Sequence, residues 1–469
     1  MAPDLSQHTD PVAPVVGRDR HFRTDRLKAN LGARTARGGI VTIASQGFKF
    51  AAMVVATVVL ARLLRPTDYG LVGMVAVVTG FVTLFKDMGL SAATVQHEEI
   101  THAQVSTLFW VNVALSVGVA ALTAVIAPLV AWFYGEPRLT AITLAYCAGF
   151  LFSGLTVQHE ALLRRQMRFG ALSVGPPSRD SGVRSMLVFG GNFTGFSVIN
   201  YFARNIDNVL IGRFWGSQQL GLYVKAYQLL LMPLDQINSP ITTVAVPALS
   251  RLNDAPQRYR SAYLRILEKV AMLTMPGIAF MIAVSDWLVL IVLGPQWTEA
   301  GRIFAVLGIA ALVQPITNTT GWLFITQGRT RHMLQWGVVG STLIVISIVV
   351  GLPWGTLGVA TSYSLVFAVV VTPLLFYFVG RSGPVRAADF YVTAAPAFCA
   401  SLSVLASVFL FRRLVEVPSP LVGLAAASVI ALVSALAVLC ALPAGRKALR
   451  DAREMTAIVL RGKETDLIV

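Results

Sequence analysis

Seven charged side chains lie inside long apolar runs: Lys49, Lys86, Asp87, Arg204, Asp207, Lys225 and Asp235. A charge at the bilayer centre costs about 2.5–3.5 kcal/mol on insertion, so each is expected to face a wet cavity or a partner. Lys49 sits mid-run with Gln46 and Phe50 around it, where snorkelling to the interface is hard. It offers a cationic contact for a phosphate or an acidic sugar, or else one half of a buried pair. Arg204 and Asp207 are three apart and share a helix face, so they could pair with each other. With Asn200 and Asn208 they form a polar stripe that suits a cavity wall. Lys225 is expected at the cavity mouth. Asp235, Gln236 and Asn238 lie among Pro233, Pro240 and Pro247. Proline frees backbone carbonyls, and broken helices line the sites of many transporters, although a plainly kinked helix would carry the same prolines. Lys86 and Asp87 are adjacent, point about 100° apart and read as an interfacial anchor. The candidate binding residues are therefore Lys49, Gln46, Asn200, Arg204, Asp207, Lys225 and Asp235.

Other chemistries find no support in the sequence. Gln96-His97-Glu98-Glu99 with His102 resembles a zinc protease motif, but the histidines are five apart where a helical metal site needs four. No metal or cofactor is expected. Cys147, Cys399 and Cys440 all fall in apolar runs at spacings that fit neither a metal site nor a disulfide. There is no large outer loop and no His/Asp catalytic cluster, which argues against a membrane enzyme. The formal charge of +15 would suggest nucleic acid in a soluble protein. Here the cations sit in short loops between apolar runs, as membrane topology requires, so no nucleic-acid partner is expected.

The elements that must position these residues are transmembrane helices. Of the 469 residues 55% are hydrophobic and 13% charged, about half the usual charged share. The apolar residues form blocks of about 20, the length that crosses a bilayer, with none of the alternation of a membrane barrel. Twelve spans are expected, from 38–61 to 420–442, in an all-α polytopic fold. Residues 1–37 are polar and basic, and the first apolar run is too long and too late for a signal peptide. With the amino terminus inside, 27 Lys and Arg fall in the inner segments and 7 in the outer ones. That asymmetry puts both termini in the cytoplasm.

An internal repeat is visible. The segment from Ala61-Arg62-Leu63-Leu64 to Tyr69-Gly70-Leu71 matches Gly212-Arg213-Phe214-Trp215 to Leu220-Gly221-Leu222 at an offset of 151 residues. Each is an outer turn between the first two helices of a block, so the repeat is parallel. The expected organisation is a basic tail, 1–37; a first lobe of four helices, 38–160; a basic connector, 161–184; a second lobe of six helices, 185–379; two more helices, 380–442; and a basic tail, 443–469. The first lobe is two helices short of the second.

Four segments carry a family resemblance: ARLLRPTDYGLVGM at 61–74, HAQVSTLFWVNV at 102–113, LLRRQMRF at 162–169 and NYFARNIDNVLIGRFWG at 200–216. They resemble Wzx-type oligosaccharide flippases, of the superfamily that also holds multidrug and lipid II transporters. The resemblance implies two six-helix lobes with two added C-terminal helices. It implies a substrate of undecaprenyl-pyrophosphate carrying a glycan repeat unit, turned across the bacterial inner membrane for lipopolysaccharide or exopolysaccharide export. Glycosyltransferases and a polysaccharide polymerase are the partners it suggests. The chain departs from that pattern after Phe169, where Ser173-Val174 runs into Gly175-Pro176-Pro177 in place of fifth and sixth helices. Two alternatives stay open. One is an inactive or shortened remnant. The other is a cation-coupled drug antiporter, whose cavity should be dominated by acidic residues, whereas spans 1, 5 and 6 hold three cations and two carboxylates.

Overall fold

The computed structural model describes residues 31–87, 102–166 and 184–443, with 445, 446 and 450; side chains are described over 47–83, 106–156 and 201–443, save 203 and 330. Thirteen α-helices are described, and no strand occurs among the described residues. They are α1 (Leu31–Leu63), α2 (Pro66–Asp87), α3 (His102–Tyr134), α4 (Arg138–Gln166), α5 (Arg184–Ser250), α6 (Pro256–Ala283), α7 (Ser285–Val292), α8 (Thr298–Thr326), α9 (Thr330–Gly351), α10 (Gly355–Val366), α11 (Thr372–Gly380), α12 (Ala387–Leu414) and α13 (Pro420–Ala441). A helix satisfies every backbone group within itself, which is what hydrocarbon demands. Proline opens α2, α6 and α13, where its missing N–H costs nothing.

Eight segments of the described residues are long and apolar enough to cross a membrane; one of them, Arg331–Gly380, contains α9, α10 and α11. With α1 and the two arms of α5 added, the helices correspond to the twelve runs read from the sequence. The chain is a multi-pass membrane protein. The repeat puts an outer turn within 212–222, and there α5 breaks at one residue, Gly216, with φ 78° and ψ −180°. Only glycine adopts that conformation without strain, so one residue suffices for the turn.

The described residues divide into two compact units. The first takes in residues up to 47, 78–131 and 137–198. Its core is Val82, Val119, Ala120 and Phe150, with Phe81 and Cys147 packed against it. There α3 and α4 approach closely at Gly154, where any side chain would collide with Ser116. Small residues drive such contacts in membranes because lipid tails provide no hydrophobic push.

The second unit takes in 48–77, 132–136 and the chain from 199 onward. Trp297, Tyr223, Tyr259, Tyr263, Phe304, Phe324 and Phe390 are its largest buried side chains. Helix α12 is held at both ends. Near its start Asp389 accepts from Arg260 Nε at 2.8 Å, and near its end Arg412 Nη1 donates to Asp286 Oδ1 at 2.9 Å while lying 4.3 Å from the Trp287 ring centre. Helix α13 turns a seam of Gly423, Ala427, Ala431 and Ala435 inward and leaves Val429, Leu432 and Val433 exposed. That is the pattern of a helix with one face to protein and the other to lipid.

Candidate functional site

Everything in the candidate site hangs on the two repeated turns. Gly70 and Gly221 occupy equivalent places 151 residues apart, and so do Pro66 and Ser217. A side chain at Gly70 would collide with the Ser217 carbonyl, and one at Gly221 with the Pro66 carbonyl. This reciprocal contact, in which i meets j and j meets i, is the mark of two turns related by a two-fold axis. Each turn is then held from behind. Trp297 Nε1 and Gln296 Nε2 donate to the Ala61 carbonyl at 2.9 and 2.7 Å, and Arg62 Nη2 donates to the Ile291 carbonyl at 3.1 Å. On the other copy Trp215 Nε1 donates to the Leu352 carbonyl at 2.9 Å, and Thr356 Oγ1 donates to Gln219 Oε1 at 2.8 Å.

From this fixed point the arms of α5 descend, and they carry polar residues inward. Asp207 and Lys225 are each nine residues from Gly216, about 14 Å along their arms. Asp207 is buried; it accepts from Tyr223 Oη at 2.9 Å and from the Asn208 amide at 2.8 Å. The Tyr223 and Tyr227 rings stack at 6.3 Å. Gln314 Nε2 donates to Tyr227 Oη at 3.3 Å and to Tyr363 Oη at 3.4 Å. Gln314 precedes Pro315, which breaks the bonding of α8. A π-helical turn, Phe367–Val371, follows Tyr363, and such turns gather at functional sites. Lys225 is buried too, on the other face of its arm. Its Nζ donates to Gln228 Oε1 at 2.9 Å and stands 3.9 Å over the ring centre of Tyr69, which itself meets Trp297 edge-on at 5.4 Å.

A buried carboxylate and a buried ammonium thus sit at similar depth without pairing. Losing one acceptor from a buried hydrogen bond costs about 1–3 kcal/mol. Asp207→Leu is therefore expected to lower the melting temperature of the purified protein clearly, and Asp207→Asn, which keeps an acceptor for Tyr223, to lower it much less. Equal melting of the two variants would show that the Tyr223 bond is dispensable.

The residues singled out from the sequence are partly brought together. Arg204 and Asp207 do not pair: Tyr223, sixteen positions on, takes the carboxylate, and Arg204 is exposed. Lys225 is not at an open mouth but packed on Tyr69. Lys49 is exposed and forms no hydrogen bond or ion pair with the described residues. The side chains of Gln46, Asn200, Lys86 and Asp87 lie outside those described, as do residues 96–99 and the side chain of His102. Sequence reasoning missed Tyr223, Tyr227, Gln314, Tyr363 and Tyr69. The one available signal was the spacing of Tyr223 and Tyr227, four apart and hence on one helix face.

An all-α bundle with buried charges and a two-fold turn pair defines a class: multi-pass α-helical membrane proteins. A solved structure titled lipid II flippase MurJ, inward closed conformation, has that fold; it superposes with a TM-score of 0.59 at 13% identity, covering 85% of this chain and 98% of its own. The model of the polysaccharide biosynthesis protein family matches residues 59–175 and 171–302, slightly more than half of the chain, and the chain belongs to that family. Among named relatives, the teichuronic acid biosynthesis protein TuaB of Bacillus subtilis is 26% identical over 55% of this chain and 64% of its own length. The lipopolysaccharide biosynthesis protein WzxC of Escherichia coli is 23% identical over 68% of this chain and 75% of its own. The succinoglycan biosynthesis transport protein ExoT of Rhizobium meliloti is 23% identical over 58% and 63%. The chain thus spans less than two thirds of TuaB. The alignment with TuaB runs over 309 residues.

Proposed function

We propose that the protein turns a lipid-linked oligosaccharide repeat unit from the inner to the outer leaflet of the bacterial inner membrane, for surface polysaccharide biosynthesis. The family match over 59–302 on a multi-pass α-helical fold carries this reading. The relatives' names, which include a lipopolysaccharide and a succinoglycan biosynthesis protein, support the glycan. The cation excess in spans 1, 5 and 6 supports an anionic carrier, a polyprenyl pyrophosphate such as undecaprenyl-pyrophosphate. The residues in contact with it are Lys49 and Arg204, with Asp235 orienting Arg204 and Gln46 and Asn200 contributing polar edges. The work is transport and not catalysis; no cofactor takes part. Both termini face the cytoplasm, where glycosyltransferases supply the substrate, and a polymerase receives the product outside.

The seam of the two family-model matches at 171–175 falls where the connector 161–184 would stand in place of helices five and six. It favours a first lobe, 38–160, built on four helices, against six in the second, 185–379.

The test is binding by purified protein of a synthetic polyprenyl-pyrophosphate glycan. Lys49→Ala and Arg204→Ala are each expected to weaken it about tenfold or more, the scale of one lost charge-assisted hydrogen bond. Wild-type affinity in both variants, or equal affinity for a neutral glycolipid, would remove the reading.

A further inference from the structure

Arg329 lies in the three-residue link between α8 and α9, at the end of the second unit where α11 also stops. Its backbone amide closes α8 by donating to the Phe324 carbonyl at 2.8 Å. Its guanidinium is poorly satisfied. Nη1 reaches Gln327 Oε1 at 3.4 Å and the Val379 carbonyl at 3.5 Å, both at the limit of a hydrogen bond. Nε and Nη2 are buried and have no hydrogen-bond partner. No carboxylate among the described residues pairs with it. Burial pulls the guanidinium below its ordinary value, so the charge is held at a cost.

Part of that cost is offset. The carbonyl ends of α8 and α11 converge on Arg329, and a cation is stabilised there. That accounts for Nη1 alone. Nε and Nη2 form the edge of the fork that grips carboxylate or phosphate with two parallel bonds. The guanidinium is half-buried and lies 5.7 Å from the Phe324 ring centre, but its Nε and Nη2 are shut off from water with this edge unengaged, which is costly. Over it lies the loop between α11 and α12; a side chain at Gly383 would stand 3.0 Å from Nη1. The loop adds Arg381 and Arg386, and α9 opens with Arg331 and His332. The carboxylate beside them, Asp389, is taken up by Arg260 and the Arg386 amide. The surroundings are therefore built for an anion.

We propose that the Nε–Nη2 edge of Arg329 is an oxyanion subsite that takes a phosphate group when the 381–386 loop shifts off it. The phosphate is either that of an anionic phospholipid headgroup or free phosphate or pyrophosphate. The subsite does not depend on what the protein transports.

The experiment follows thermal melting of the full chain in neutral detergent with four additions: phosphatidylglycerol, phosphatidylcholine, inorganic phosphate and pyrophosphate. Wild type is expected to gain several degrees with phosphatidylglycerol, pyrophosphate or both, and Arg329→Met to gain nothing, while Arg331→Gln keeps the gain. A gain with the lipid alone assigns the headgroup; a gain with the soluble anions as well assigns the oxyanion itself. Without additions, Arg329→Met should melt at or above wild type, because an unpaired buried charge is removed. A plain structural cap predicts the reverse, and Arg329→Met melting well below wild type without additions would overturn the proposal. So would equal gains in wild type and Arg329→Met, a gain with phosphatidylcholine as large as any other, or no gain with any addition.

Discussion

Gly70→Ala and Gly221→Ala are each expected to lose the folded protein, seen as a collapse of membrane yield and of the melting transition in detergent. One methyl group is added in either case, yet at these positions it falls on a backbone carbonyl, that of Ser217 or of Pro66. A side chain in the way could rotate aside. A carbonyl cannot, because Ser217 and Pro66 lie in turns already fixed by Trp297, Gln296, Trp215 and Thr356. Overpacking with a soft neighbour costs about 1–3 kcal/mol, and this contact should exceed that range. Gly47 and Gly277 are the controls. Nothing stands within 4 Å of a side chain added at either, so alanine there should hold or raise stability through helix propensity, by about 0.5–1 kcal/mol. Gly70→Ala or Gly221→Ala melting beside Gly47→Ala would show that the turns do not meet as described.

That contact also shows how far the sequence could be read. The repeat at an offset of 151 residues was legible because both turns keep the same residue types, but which residues meet, Gly70 with Ser217 and Gly221 with Pro66, came only from the structure. The spans were legible because hydrocarbon leaves so few options for the backbone. The single-residue turn at Gly216 was not, since nothing local separates a glycine that breaks a helix from one that packs in it. The polar interior was legible only in part. Asp207 announced itself by its charge, but its partner was chosen by the fold: helix spacing favours Arg204, while the hairpin of the two α5 arms brings Tyr223 to the carboxylate. Gln314 and Tyr363 lie on different helices, 49 positions apart, and a tyrosine in an apolar run carries no mark of whether its hydroxyl is engaged. Arg329 was counted only as one more inner cation, because its unengaged edge is a property of three chain segments meeting.

Reinserting a helix pair after Val174 is expected to raise transport about tenfold or more over the chain as it stands. On the proposed reading the first lobe has four helices against six in the second, and an anionic headgroup would then cross against lipid on one side, where each exposed charge is costly. On that reading residues 161–184 would not replace the two helices. Their sequence carries Arg164, Arg165, Arg168, Arg179 and Arg184, each costly in hydrocarbon. The pair to insert is a segment of about 50 residues, the length of two spans with their loops, joined at the 171–175 seam of the two family-model matches. An even number of spans leaves the orientation of everything after it unchanged, so the comparison is not confounded by topology. The measurement is surface polysaccharide in a flippase-deficient strain carrying either chain at matched membrane levels. Equal polysaccharide from both would mean that four helices suffice for the first lobe. Higher output from the restored chain, together with unchanged substrate affinity in the binding assay, would place the defect in the crossing step and not in recognition by Lys49 and Arg204.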